Sequence, residues 1–243
     1  MDFLYIPNAD NMNEFYFKMN QMPERWFYKS TRLYRDSLIL YKNYQRTIDF
    51  FIKELDKLKF FKNPDSRRLK ELIYDILVEH PRRYLPDFCS YYLLSAFCLE
   101  NLIKGYIVMH NIDFIGESRL NKKLKEHNLY KLCSNYTDIK LSEDEQILLQ
   151  KLNDYSIAYG RYPVSATVNK NIPFYLQPNY DVNYTDLCIK CIENPYADDH
   201  KIYLHIYKKI NLCIKKYYTE QKQLENSKKT FSEELKFAYS KTN

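Results

Sequence analysis

Glycine is almost missing from this chain, with three residues in 243. Glycine supplies the positive φ of tight β-turns and the close backbone approach of phosphate-cradling loops, so few hairpins and no Gly-rich nucleotide loop are expected. No nucleophile elbow occurs, and no Asp stands with Asp or Glu at metal-binding spacing. No uninterrupted apolar run reaches the roughly 20 residues of a membrane-spanning helix. Met1 to Asn20 carries acidic and polar residues throughout, unlike a secretory or transit segment. These absences lead to the expectation of a cytoplasmic protein off the membrane, with no cofactor and no metal. Six cysteines, at 89, 98, 133, 188, 191 and 213, mostly fall inside apolar helical patterns and are expected as free thiols. Cys188 and Cys191 have the spacing of half a zinc site, but no second close pair of ligands follows.

What is present is a core. Hydrophobic residues make up 45% of the chain and aromatic residues 16%, too much apolar material for disorder. With little glycine, the expected class is all-α, an antiparallel helical bundle. Residues 1–30 mix aromatics with Asn, Met and two prolines without a sustained period and read as an N-terminal arm; residues 31–243 read as a single bundle domain. From about Thr31, Tyr41, Tyr44, Ile48, Phe51, Ile52, Leu55 and Leu58 lie on one helical stripe that Pro64 ends. A second helix is expected over Asp65 to Glu79. The stretch Asp87 to Met109 is apolar on more than one side and reads as the central helix, and Lys122 to Ser134 as a short helix carrying Leu124, Leu129 and Leu132. Ser142 and Glu145 form a capping-box pattern that opens another helix. The helical period stops at about 160–183, where Pro163, Pro173 and Pro178 alternate with apolar residues, giving a long loop or small hairpin. Helices resume over Tyr184 to Asn194, Asp198 to Gln223 and Phe231 to Tyr239.

Charge is uneven. Between Lys201 and Asn243 there are ten lysines and four glutamates, a balance of +6 that equals the net charge of the whole chain. These basic helices, from about 198, carry Lys208, Lys209, Lys215 and Lys216 among interleaved tyrosines. They suit either a phosphate backbone with rings for stacking or an ordinary solvated face. Glu100 and Lys104, at i and i+4 on the central helix, are costly to bury unless they pair or line a cleft. His127 is either a surface hydrogen-bonding group or an acid–base candidate. Arg161 either favours its helix C-terminus or joins a site with Glu100.

The order Leu99-Glu100-Asn101-Leu102-Ile103-Lys104, then His127-Asn128-Leu129, then a capped Leu-rich helix, then Gly160-Arg161-Tyr162-Pro163 resembles the HEPN superfamily of helical bundles over about residues 30 to 165. The resemblance implies a homodimer, a setting in prokaryotic defence or toxin–antitoxin systems, and RNA as the ligand. It also places Glu100 as the polar residue contributed by an earlier helix. Many such proteins cleave RNA without metal, using an Arg and a His with four to six residues between them. Here the corresponding positions after Arg161 hold Ala166, Thr167 and Val168, so the acid–base histidine is missing. The expectation is a non-catalytic protein binding RNA or a protein partner. The alternatives are a metal-independent ribonuclease using His127 and Arg161, and a scaffold without a nucleic-acid role. If a cleft exists, Arg161 approaches Glu100, the loop after it forms the cover, and Tyr162 lines the pocket.

Overall fold

The computed structural model of the protein describes residues 12–57, 71, 75–76, 78–79, 88–116, 119–156 and 196–240. Among the described residues there are six α-helices and no strand, so the chain is all-α as its composition implies. The helices are α1 (Met12–Gln21), α2 (Pro23–Lys57), α3 (Cys89–His110), α4 (Leu129–Tyr136), α5 (Glu143–Asp154) and α6 (Tyr196–Ser240). Two 3-10 turns, Ile112–Phe114 and Lys122–Lys125, lie between α3 and α4. Contacts divide the chain into two compact units, Met1–Tyr203 and Leu204–Asn243. The irregular stretch expected at 160–183, and Cys188 and Cys191 beyond it, lie outside the described residues. Cys89, Cys98, Cys133 and Cys213 are free thiols.

In the first unit α2 and α3 run antiparallel over a long shared seam. Phe27 lies against Gly105, Ser30 donates to the Cys98 carbonyl, Tyr41 meets the Tyr91 ring and Tyr44 meets Phe88; positions rise along α2 as they fall along α3. At 1.5 Å per residue this seam is about 25 Å long. Gly105 permits a close approach of the two helices, since a Cβ there would lie 2.9 Å from the Trp26 Cβ. Helix α3 is the centre of the unit, with Leu99, Leu102, Ile103 and Val108 wholly or almost wholly buried. Each such side chain contributes about 1.5–3 kcal/mol of burial. Its length and apolarity match those of a membrane span, but 83% of the apolar stretch is buried inside the protein.

The N-terminal region differs from the arm its composition suggests. Residues 12–21 are helical and α2 begins at Pro23, a full two turns before Thr31. Proline suits the first turn because the N–H it lacks would have no intrahelical acceptor there. The junction is tied down by Gln21, whose amide donates to the Gly116 carbonyl at 3.0 Å and accepts the Gly116 N–H at 3.1 Å. Of the helix expected over Asp65–Glu79, residues 71, 75, 76, 78 and 79 are described and all are helical. The capping box at Ser142 is present, with both reciprocal bonds to Glu145 made at 3.3 and 2.7 Å.

The first turns of α6 belong to the first unit and are held by hydrogen-bonding aromatic side chains. Tyr92 donates to Asp199, which also takes Lys151 from α5. The Tyr91 hydroxyl meets His200 Nδ1 at 2.8 Å, and Tyr41 stacks on the His200 ring at 3.5 Å between centroids. Burial pushes the His200 ring down to about 4, so it is neutral at physiological pH. Beyond Tyr203, α6 continues without the break expected between Gln223 and Phe231. The intervening residues, Leu224 to Thr230, contain neither Gly nor Pro, and nothing local stops the helix.

Candidate functional site

Three of the side chains singled out in the sequence meet at one place. Lys104 Nζ lies 2.6 Å from Glu100 Oε1, one turn along α3, and His127 Nδ1 lies 3.0 Å from the same oxygen. The lysine side chain is 3% exposed and the glutamate 11%, while the histidine is 58% exposed. Lys104 is therefore turned inward, and the cation needed by the buried Glu100 carboxylate is supplied from its own helix. The Glu100 Oε1 atom is thus shared by Lys104 Nζ from its own helix and by His127 Nδ1 from the connector, and the contact fixes the orientation of the imidazole ring.

His127 owes its position to a break in what its sequence suggests is one short helix. The 3-10 turn Lys122–Lys125 is followed by extended backbone at Glu126, and α4 starts only after Asn128. Two asparagines cause this. The Asn121 side chain accepts the Lys123 N–H at 3.0 Å, and the Asn128 side chain accepts the Lys131 N–H at 2.9 Å, capping each helical segment separately. Between them the Glu126 carboxylate accepts the N–H groups of Asn128 at 2.9 Å and His127 at 3.0 Å. Those bonds, the one from Asn128 foremost, hold the Glu126 carboxyl below its ordinary value. His127 thus sits on a short, pinned connector rather than on a helix face, and its ring reaches across to Glu100.

The trio lines one end of a cleft of about 510 Å³, whose walls include Trp26, Lys29 and Leu33 of α2, Phe97 of α3, and Lys125. A second concavity of about 640 Å³ adjoins it and shares Trp26, Lys29, Leu33 and Asn101. It adds Asn20, Arg25, Tyr28, Arg32 and Asp36. Arg25, Lys29 and Arg32, at i, i+4 and i+7, lie on one face of α2 and are exposed. Together the two hollows carry five cationic side chains, Arg25, Lys29, Arg32, Lys104 and Lys125, against the carboxylates of Asp36 and Glu100. Among the described residues Arg25, Lys29, Arg32 and Lys125 make no ion pair, whereas Lys104 is committed to Glu100.

The α2 side of this cleft is absent from the sequence-derived site. Its signal is the Arg25, Lys29, Arg32 spacing, which has meaning only if the helix already runs at residue 25. Arg161 and Tyr162 lie outside the described residues. Lys208, Lys209, Lys215 and Lys216 are on the part of α6 that forms the second unit; Lys208, Lys215 and Lys216 are exposed, and Lys216 lies 3.8 Å from Glu220. Among the described residues no group of three or more His, Cys, Asp and Glu side chains is placed to hold a metal ion. Comparisons with protein-family models, curated proteins and solved structures find no match to this chain.

Proposed function

We propose that the protein binds single-stranded RNA in the paired clefts between α2, α3 and the His127 connector, and holds it without cleaving it. The observation that carries this reading is the cationic side chains of Arg25, Lys29, Arg32 and Lys125 around the rings of Trp26, Tyr28 and Phe97. Cations for a phosphate chain beside rings for unstacked bases are the two components of single-strand binding surfaces. The resemblance to HEPN bundles supports the same ligand and implies a homodimer, while the lack of a histidine at 166, 167 or 168, beyond Arg161, argues against cleavage.

One observation favours a second reading, a metal-independent ribonuclease. The His127 imidazole is oriented by the Glu100 carboxyl oxygen at 3.0 Å, an arrangement used to position histidine for proton transfer. The two readings separate in one assay. A labelled single-stranded RNA is incubated with the protein in EDTA, and binding is followed by anisotropy from about 50 to 200 mM salt. The binding reading expects intact RNA and a log–log salt slope of about −2 to −3, as three or four phosphate contacts give. Cleavage that His127→Ala abolishes replaces it with the ribonuclease reading. Absence of RNA binding, with salt-insensitive capture of a protein partner, removes both.

A further inference from the structure

The larger of the two hollows has a feature that a plain electrostatic track does not need. Trp26 is the only tryptophan in the chain and the one aromatic ring that lines both hollows. Its indole is fixed in place from two sides. The Nε1–H donates to the Gln21 carbonyl at 3.0 Å, and its Cβ packs where Gly105 lets α3 come close. Gln21 is in turn buried and held by its two bonds to Gly116. An indole has a single hydrogen-bond donor and no acceptor, so with Nε1 spent on the backbone the ring offers a ligand only its π-face. A ring already immobilised loses little entropy when something stacks on it.

Around that ring the polar groups are arranged for a nucleotide. Arg25, Lys29 and Arg32 follow one face of α2 past it, with the Arg32 guanidinium resting 5.9 Å from the centroid of the Tyr28 ring. Asn101 spends one of its two amide hydrogens on the Phe97 carbonyl at 2.6 Å, which leaves its side-chain oxygen as an acceptor at the wall shared by both hollows. The volume of about 640 Å³ falls in the middle of the roughly 300–1,000 Å³ range of small-molecule sites.

We infer that this hollow is a nucleobase subsite, in which one base stacks on the indole of Trp26 while Arg25, Lys29 and Arg32 take the phosphates on either side of it. The inference rests on the RNA-binding reading above, and goes beyond it by assigning a base-dependent contact to one ring. Stacking of this kind is tolerant of base identity because every base has a π-face. The ligand class is therefore a single-stranded oligonucleotide with bases, and not any polyanion of equal charge.

Because Trp26 is the sole tryptophan, its fluorescence reports the subsite directly in the unaltered protein. The protein is titrated with a short oligoadenylate and, separately, with an abasic oligonucleotide of the same length and charge, binding of each being followed independently by anisotropy. The expected result is that both bind, the oligoadenylate the more tightly, and only the oligoadenylate quenches the tryptophan. Trp26→Phe, which keeps a flat ring, should bind oligoadenylate within a few-fold of the native protein, and Trp26→Leu about 5- to 100-fold more weakly, with the abasic chain unaffected. Equal binding of both chains without quenching overturns the subsite and leaves RNA binding standing; quenching by both overturns it as well, since the ring then senses the chain and not the base. Failure of both to bind overturns the RNA-binding reading itself.

Discussion

Replacing Glu100 by alanine should cost about 3–5 kcal/mol, a large share of the stability of a domain this size. The magnitude follows from burial and partnership. Lys104 is 3% exposed and its ammonium lies 2.6 Å from the Glu100 carboxylate. Removing the glutamate leaves that ammonium desolvated opposite a small void, and the penalty is that of an unpaired buried charge rather than of a lost surface ion pair. His127 also loses its carboxylate, but with 58% of its side chain exposed it turns to water at little cost. The double replacement Glu100→Leu with Lys104→Met removes both charges while keeping similar volume, and should lie within about 1 kcal/mol of the native protein or above it. Urea unfolding of the native protein, Glu100→Leu, Lys104→Met and the double variant, with equal slopes, gives the full cycle, and Glu100→Ala is measured beside it. A Glu100→Ala cost under about 1 kcal/mol would refute the reasoning, because Lys104 would then have an inexpensive route to solvent.

Two further perturbations address the frame around the cleft. Gly105→Ala introduces a Cβ 2.5 Å from a ring carbon of Phe27 and 2.9 Å from the Trp26 Cβ; the phenyl ring can swing aside but the other atom is fixed to the α2 backbone, so we expect a loss of about 1–3 kcal/mol with a shift in tryptophan emission, and an unchanged melting temperature and spectrum would contradict the packing. His200 is neutral in the fold and pushed down to about 4 by burial, so as pH falls below its unfolded value of 6.5 the unfolded chain takes the proton first; stability should decline between pH 6.5 and 4 and this contribution should level off below 4. For a half-buried ring beside Tyr41 and Tyr91 the loss is about 1–2 kcal/mol after solvent screening. His200→Phe should flatten that limb in pH-dependent thermal unfolding, and coincident limbs for the two proteins would rule the effect out.

The features legible in the sequence are those that one segment determines. The Ser142–Glu145 capping box is a local pattern and is found as such; α3 reads as central because it is apolar all round; and Glu100 with Lys104 stands out because two charges on such a helix demand a partner. The start of α2 was hidden because Trp26 and Phe27 are large apolar residues flanked by polar ones with no clean period, and their packing partner, Gly105 of α3, is far away in the sequence. The His127 connector was hidden because two side-chain caps, Asn121 and Asn128, override the leucine spacing across them. Each wall of the cleft comes from a different part of the chain, residues 20–36, 97–104 and 120–127, so no single window of sequence contains it.

The measurement that tests the central claim most directly compares two charge-reversed proteins for binding to the same single-stranded RNA. One carries Arg25→Glu, Lys29→Glu and Arg32→Glu in the cleft; the other carries Lys208→Glu, Lys209→Glu, Lys215→Glu and Lys216→Glu on α6. Circular dichroism first establishes that both are folded, and anisotropy then gives their affinities and salt slopes. If the cleft holds the RNA, its triple variant loses about 100-fold or more in affinity and flattens the salt slope by about 2, roughly 0.7 for each phosphate contact removed, while the α6 variant stays within about threefold of the native protein. Loss of binding in the α6 variant, with the cleft variant unchanged, would contradict the claim and place the nucleic-acid surface on the second unit.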